Sequence, residues 1–120
     1  MAQTAIAIST RMLPKNVVVL DIAGDLTGMA EEPLMAAYAA ASDGGARTIN
    51  LKFDELGYMN SSGIGLLVTL LIRVQRSKQK LLAVGLTDHY QQIFELTRLN
   101  EAIASYADEA SALATLNGAG

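Results

Sequence analysis

Cysteine and tryptophan are absent from this chain, proline occurs twice, and aromatics make up 5% of its 120 residues. Without cysteine there is neither a disulfide nor a thiolate metal site, which fits a cytoplasmic protein. With so few aromatics, a core has to be built from Leu, Ile, Val, Ala and Met. No apolar run approaches the roughly 18 to 20 residues needed to cross a bilayer. Met1-Ala2-Gln3-Thr4 lacks the basic start and long apolar stretch of a secretion signal. A cytoplasmic location away from membranes is therefore expected. Positive charge is not in excess either: the net charge of −3 speaks against nucleic acid, which rewards basic surfaces. The local exception is Arg73, Arg76, Lys78 and Lys80. It reads first as a set of cations complementing a helix C-terminus, with an acidic protein partner as the alternative.

What is present is apolar: 51% of the residues are hydrophobic and 18% charged, enough for one compact domain over residues 1–120. Residues 5–12 and 17–23 are rich in β-branched side chains and flank Leu13-Pro14-Lys15-Asn16, so they predict an antiparallel hairpin. Glu31, Glu32 and Pro33 open an Ala-rich helix to about Ser42, which Asp43-Gly44-Gly45 stops. In residues 48–53, Ile49, Leu51 and Phe53 alternate with Thr48, Asn50 and Lys52, the pattern of a half-buried strand. A strong helix follows from Ile64 to about Lys78, then a buried strand from Lys80 to Val84 and a third helix from Asp88 to about Leu99. That third helix turns Ile93, Leu96 and Leu99 inward. Ile103–Tyr106 reads as an edge strand, Asp108 as the cap of a last helix, and residues 117–120 as its frayed end. The order ββαβαβαβα, without repeats or linkers, implies an α/β fold whose mostly parallel sheet begins with a hairpin.

The segment around the central helix carries the chemistry. Ile64, Leu67, Val68, Leu71 and Val74 lie at helical spacing and form the expected core stripe. Leu66 and Leu70 then point elsewhere, on the side of Arg73: ordinary packing leucines, or an exposed ridge that docks a partner. Ser61 and Ser62 stand where chain becomes helix. There a serine serves by default as an N-cap, yet orphan N–H groups and the positive helix end also suit a phosphate, with Gly63 and Gly65 permitting close approach. A nucleophilic serine needs a base, and nothing in the sequence places the single histidine, His89, beside Ser61. Gly63-Ile64-Gly65 begins a dinucleotide fingerprint, but Val68 breaks it and no Walker lysine follows. No enzyme, metal site or cofactor is expected.

The stretch from Phe53 to Leu67, with Asn60-Ser61-Ser62-Gly63-Ile64-Gly65 at its centre, resembles the signature of the STAS domain family, the bacterial anti-sigma factor antagonists. That family's usual pattern is Asp-Ser-(Ser/Thr)-Gly-(Leu/Ile)-Gly after a strand. Leu20–Leu26 resembles its earlier (Leu/Val)-x-Gly-(Glu/Asp)-Leu element, and Ile93–Leu99 its third-helix stretch. The resemblance implies a STAS-like mixed sheet and a protein that binds an anti-sigma factor with serine kinase activity. Phosphorylation of Ser61, with Asn60, Ser62, Gly63 and Gly65 around it, would turn binding off. Asp25, Thr27, Leu66, Leu70 and Arg73 are the expected partner-facing residues. ATP and Mg²⁺ belong to the kinase. Asn60 stands where the family carries Asp, and Thr27 where many relatives are acidic. The amide keeps an acceptor but not the charge, which leaves room for a constitutive binder, or for a scaffold or regulatory subunit acting with other STAS proteins in a stress-signalling assembly. A nucleotide- or anion-binding sensor, built from Asp25–Met29 and the start of the Ser61 helix, is the third reading.

Overall fold

A computed structural model describes residues 6–118 of the chain. β1 (Ala7–Leu13) and β2 (Val17–Leu26) form an antiparallel hairpin whose turn holds Lys15 and Asn16 in left-handed backbone, φ 65° and 60°. A 3-10 turn (Gly28–Ala30) leads to α1 (Glu31–Asp43), β3 (Thr48–Met59), α2 (Ser61–Arg76), β4 (Lys80–Val84) and α3 (Asp88–Leu96). A second 3-10 turn (Leu99–Glu101), β5 (Ala104–Tyr106) and α4 (Glu109–Gly118) complete the fold. The five strands lie in the order β1-β2-β3-β4-β5, parallel from β2 onward. This is the mixed sheet with an initial hairpin that the element order implies.

Local chemistry accounts for the boundaries. Glu31 and Glu32 occupy the first turn of α1, and Gly45 takes φ 93° just beyond its end. Asp108 Oδ1 accepts the Ser111 N–H at 2.8 Å and opens α4, as its position suggests. Each parallel crossover steps the same way along the sheet, so crossings of the usual right hand stack α1, α2 and α3 on one face. Val18, Leu20, Ile22, Ile49, Leu51 and Phe53 supply the strand side of that main core. On the other face α4 lays Ala112 over Leu82 and Val84.

Several sequence expectations need correction. β2 and β3 continue to Leu26 and Met59, beyond residues 17–23 and 48–53, with register shifts between Asp21/Ala23 and Gly24/Asp25 that keep them paired. Thr48 and Asn50 are buried rather than solvent-facing, because both faces of this central strand are covered. In α3, Leu96 is 84% exposed and Phe94 takes the inward place. The helix stops at Leu96, and Arg98 at φ 62° turns the chain so that Leu99 re-enters the core. The first strand begins at Ala7, and residue 5 lies outside the described residues. α4 continues through Gly118, past the Asn117 where the sequence suggests fraying, and residues 119–120 lie outside the described residues.

Candidate functional site

All parallel strands run toward one pole of the sheet, and α2 begins there. Asn60 closes β3 in an extended conformation (φ −102°, ψ −176°), and its Oδ1 accepts the Gly63 N–H at 2.9 Å. The N-cap is therefore Asn60, not Ser61 or Ser62, and both serines are exposed in the first turn of the helix. The Asn60 N–H donates to the Leu26 carbonyl at 3.3 Å, and the Met59 N–H donates to the Tyr90 hydroxyl at 2.9 Å. These bonds tie the helix mouth to β2 and α3. Gly63 sets how close α2 comes: a Cβ there would lie 2.0 Å from the Leu26 carbonyl oxygen, so only glycine fits.

That contact also fixes the rotation of α2, and it overturns the expected stripes. Gly63, Leu66, Leu67, Leu70 and Val74 are the buried residues. Leu66 and Leu70 lie in the core and form no docking ridge, while Val68, expected in the core, is 39% exposed together with Ile72 at 43%. The outward face of α2 thus carries Ser61, Gly65, Val68 and Ile72, spaced by four, three and four residues. A Cβ on Gly65 would meet nothing within 4 Å, so no contact among the described residues calls for glycine at that position.

Around the mouth stand groups that the motif did not single out. Met29 is 83% exposed on the 3-10 turn, where a Cβ on Gly28 would lie 3.5 Å from the Ser62 Cβ. Tyr58, two residues before the cap, is 50% exposed. Its strand partner is Asp25, whose carboxylate lies over Gly57. A hydrophobic residue beside a turn glycine and an aromatic just before the serine motif are the only sequence signals for this pair. Thr27, expected to be partner-facing, is buried, and its Oγ1 accepts the Met29 N–H at 3.3 Å, which shapes the turn. Arg73 is exposed in the last turn of α2, twelve residues from Ser61, which at a helical rise of about 1.5 Å per residue puts it roughly 18 Å away. The structure brings together Asp25, Asn60, Ser61, Ser62, Gly63 and Gly65, and leaves Arg73 apart.

The exposed hydroxyls of Ser61 and Ser62 sit at the positive end of a 16-residue helix, beside an apolar rim. His89 is exposed and stacks edge-on against Tyr90, ring centroids 4.9 Å apart, with no bond to either serine. Among the described residues no group of three or more His, Asp or Glu side chains is placed to hold a metal ion. The groups whose proton affinity is clearly shifted lie elsewhere, where α4 meets β1. There the Arg11 guanidinium bonds Asp21 and Glu109 at 2.6 Å each, and Glu109 is held below the ordinary carboxylate range by its hydrogen bonds to Arg11. Asp108 is likewise lowered by the Ser111 backbone N–H that it caps.

Comparison with known proteins returns the family that the sequence resembles. A family model described as the Mlab STAS domain matches residues 9–105. An anti-sigma-B factor antagonist of Staphylococcus aureus is 32% identical over 57 residues, covering 48% of this chain and 53% of its own. The chain therefore spans about half the length of the curated relatives it matches. The anti-sigma factor antagonist SpoIIAA in its unphosphorylated form superposes with a TM-score of 0.74 at 23% identity, over 93% of this chain and 99% of its own. An anti-sigma factor antagonist from Mycobacterium paratuberculosis reaches 0.80 at 15% identity, over 94% and 95%. At these identities the structural likeness establishes the fold.

Proposed function

The chain belongs to the STAS domain family, and from that premise we propose that it is an anti-sigma factor antagonist, a protein-binding switch set at Ser61. Its partner is an anti-sigma factor with serine kinase activity, captured when Ser61 is free and released when it is phosphorylated. The observation that carries this reading is the division of labour at the helix mouth. Asn60 does the capping, so the Ser61 hydroxyl stands exposed and uncommitted at the first position of α2. The names of the relatives support it: the S. aureus protein is an anti-sigma-B factor antagonist, and SpoIIAA is known in unphosphorylated and phosphorylated forms.

The physics of the switch follows from position. Phosphate adds about −1.5 to −2 charges, and at a helix N-terminus the dipole and free N–H groups stabilise them, so the fold survives modification. The surface does not stay the same. A partner that buries Met29, Tyr58, Val68 and Ile72 would have to desolvate a dianion beside Asp25. ATP and Mg²⁺ come with the kinase, so the switch at Ser61 needs no cofactor held by this chain and no catalysis by it.

Asn60 favours a second reading. Its amide caps α2 as a carboxylate would, yet brings no negative charge to assist phosphoryl transfer. A chain so built binds without cycling, as a scaffold or regulatory subunit among other STAS proteins. Calorimetric titration with an anti-sigma kinase tests the leading reading: wild type binds, and Ser61→Asp keeps its fold but loses at least ten-fold in affinity, about 1.4 kcal/mol. Equal binding by Ser61→Asp and Val68→Glu variants would overturn it.

A further inference from the structure

Strand direction sorts the charges of this molecule. β2 to β5 run toward the Ser61 pole and α1 to α3 start from it, so every crossover helix ends at the opposite pole. At the Ser61 pole stand Asp25, Glu31, Glu32, Glu55 and Asp88. At the opposite pole stand Lys15 in the hairpin turn, Arg47 before β3, Arg76 and Lys78 at the end of α2, and Lys80 opening β4. These five are exposed and, among the described residues, the ion pairs involve none of them. Backbone bonds gather their segments: the Arg47 N–H donates to the Asn16 carbonyl at 2.8 Å, and the Lys80 N–H to the Arg47 carbonyl at 2.9 Å. Asp43, Glu95 and Glu101, at the ends of α1 and α3 and in the turn before β5, are the acids toward this side.

Helix dipoles account for Glu31, Glu32, Asp88 and Arg76. They do not account for Lys15, Arg47 or Lys80, which lie outside helices. Lys15 (φ 65°) and Lys78 (φ 58°) also hold left-handed backbone, where glycine is the favoured residue. Positive charge is kept at these turns against the backbone's preference.

We propose that the basic pole docks on the acidic, Ser61-bearing pole of a second copy of this chain, giving weak head-to-tail association. The two surfaces are complementary in charge, and both are present on every molecule. A lipid surface or a nucleic acid would engage only the basic pole. Because each copy uses two different faces, the contact is heterologous and can repeat along a row of molecules. Such a polar contact is short-lived and sensitive to salt. One consequence rests on the reading of Ser61 above: a stacked copy covers Ser61, so self-association and capture of the anti-sigma partner exclude each other.

Sedimentation equilibrium of the full chain tests this at roughly 20 mM and 500 mM salt, where charges are screened beyond about 20 Å and 4 Å respectively. The expected result is a mass above the 12.7 kDa monomer at low salt, returning to it at high salt. Arg47→Glu with Lys80→Glu, and separately Glu31→Lys with Glu32→Lys, should each remain monomeric at low salt with unchanged circular dichroism. An equimolar mixture of the two double variants should regain mass, because every pole again meets its opposite. A wild-type chain that stays monomeric at low salt overturns the proposal, as does association untouched by the charge reversals. Monomeric wild type retained on anionic vesicles or RNA would also overturn it, and would assign the basic pole to that ligand.

Discussion

Asn50 offers the sharpest test of the packing. It lies in the middle of β3, paired across the sheet with Val19 and Leu82, and is fully buried on the face that α4 covers. Neither its amide nitrogen nor its carbonyl oxygen has a hydrogen-bond partner. A buried polar group left unpaired costs about 1–3 kcal/mol, whereas an apolar group of similar shape bears no such penalty. Leucine has nearly the same outline, so Asn50→Leu should stabilise the domain by about 1–3 kcal/mol. For a chain of this size each kcal/mol is worth roughly 3–5 °C, giving a rise in Tm of about 3–15 °C. Urea unfolding monitored by circular dichroism reads the change, and an unaltered m-value assigns it to stability rather than compactness. Asn50→Asp should move the other way, because a carboxylate would be buried without a partner. If Asn50→Leu lowers the midpoint, the amide is satisfied in solution and the account of α4 as a dry cover over this strand is wrong.

Three further perturbations probe the frame around Ser61. Gly63→Ala drives a methyl into the Leu26 carbonyl, so it should cost more than about 3 kcal/mol or abolish folding, as read by the yield of soluble, cooperatively unfolding protein. Near-wild-type stability would mean that α2 is free to shift outward. Asn60→Ala removes the cap and should lower stability by about 1 kcal/mol, while Asn60→Asp should stay within roughly 0.5 kcal/mol, both measured by denaturant titration. The Glu109 pKa is depressed in the folded state by Arg11, so its contribution is complete above the unfolded value of about 4.3 and fades as pH falls through the lower folded value. Stability of Arg11→Met relative to wild type, followed from pH 7 to pH 2, should converge at the acid end.

The sequence made the order of elements legible because its signals are local: β-branched runs, turn residues and helix-opening acids each act over a few neighbours. The serine-glycine motif placed the site at the mouth of α2 for the same reason. What it left open was rotation. Leucine, valine and isoleucine occupy two adjacent stripes of α2, and periodicity alone does not choose between them. The choice is made by the contact of Gly63 with the Leu26 carbonyl, a tertiary feature between residues 37 apart. So Leu66 and Leu70 went inward, and Val68 and Ile72 came out. The cap moved for a related reason. Asn, Ser and Ser stand in succession, all three are good caps, and only the path of β3 decides that Asn60 holds the extended conformation. Leu96 closes α3 on its exposed side while Phe94 takes the inward place, and Leu99 reaches the core only because Arg98 turns the chain, which helical spacing does not reveal.

The central claim is that Ser61 is the controlling group, and intact mass tests it most directly. The protein is incubated with ATP, Mg²⁺ and anti-sigma kinases from its own genome, and the modified peptide is then located. The account predicts a single phosphate on Ser61, absent from Ser61→Ala. No phosphate on the wild type, with rapid labelling once Asn60 is changed to Asp, would contradict it and identify the chain as a binder that does not cycle.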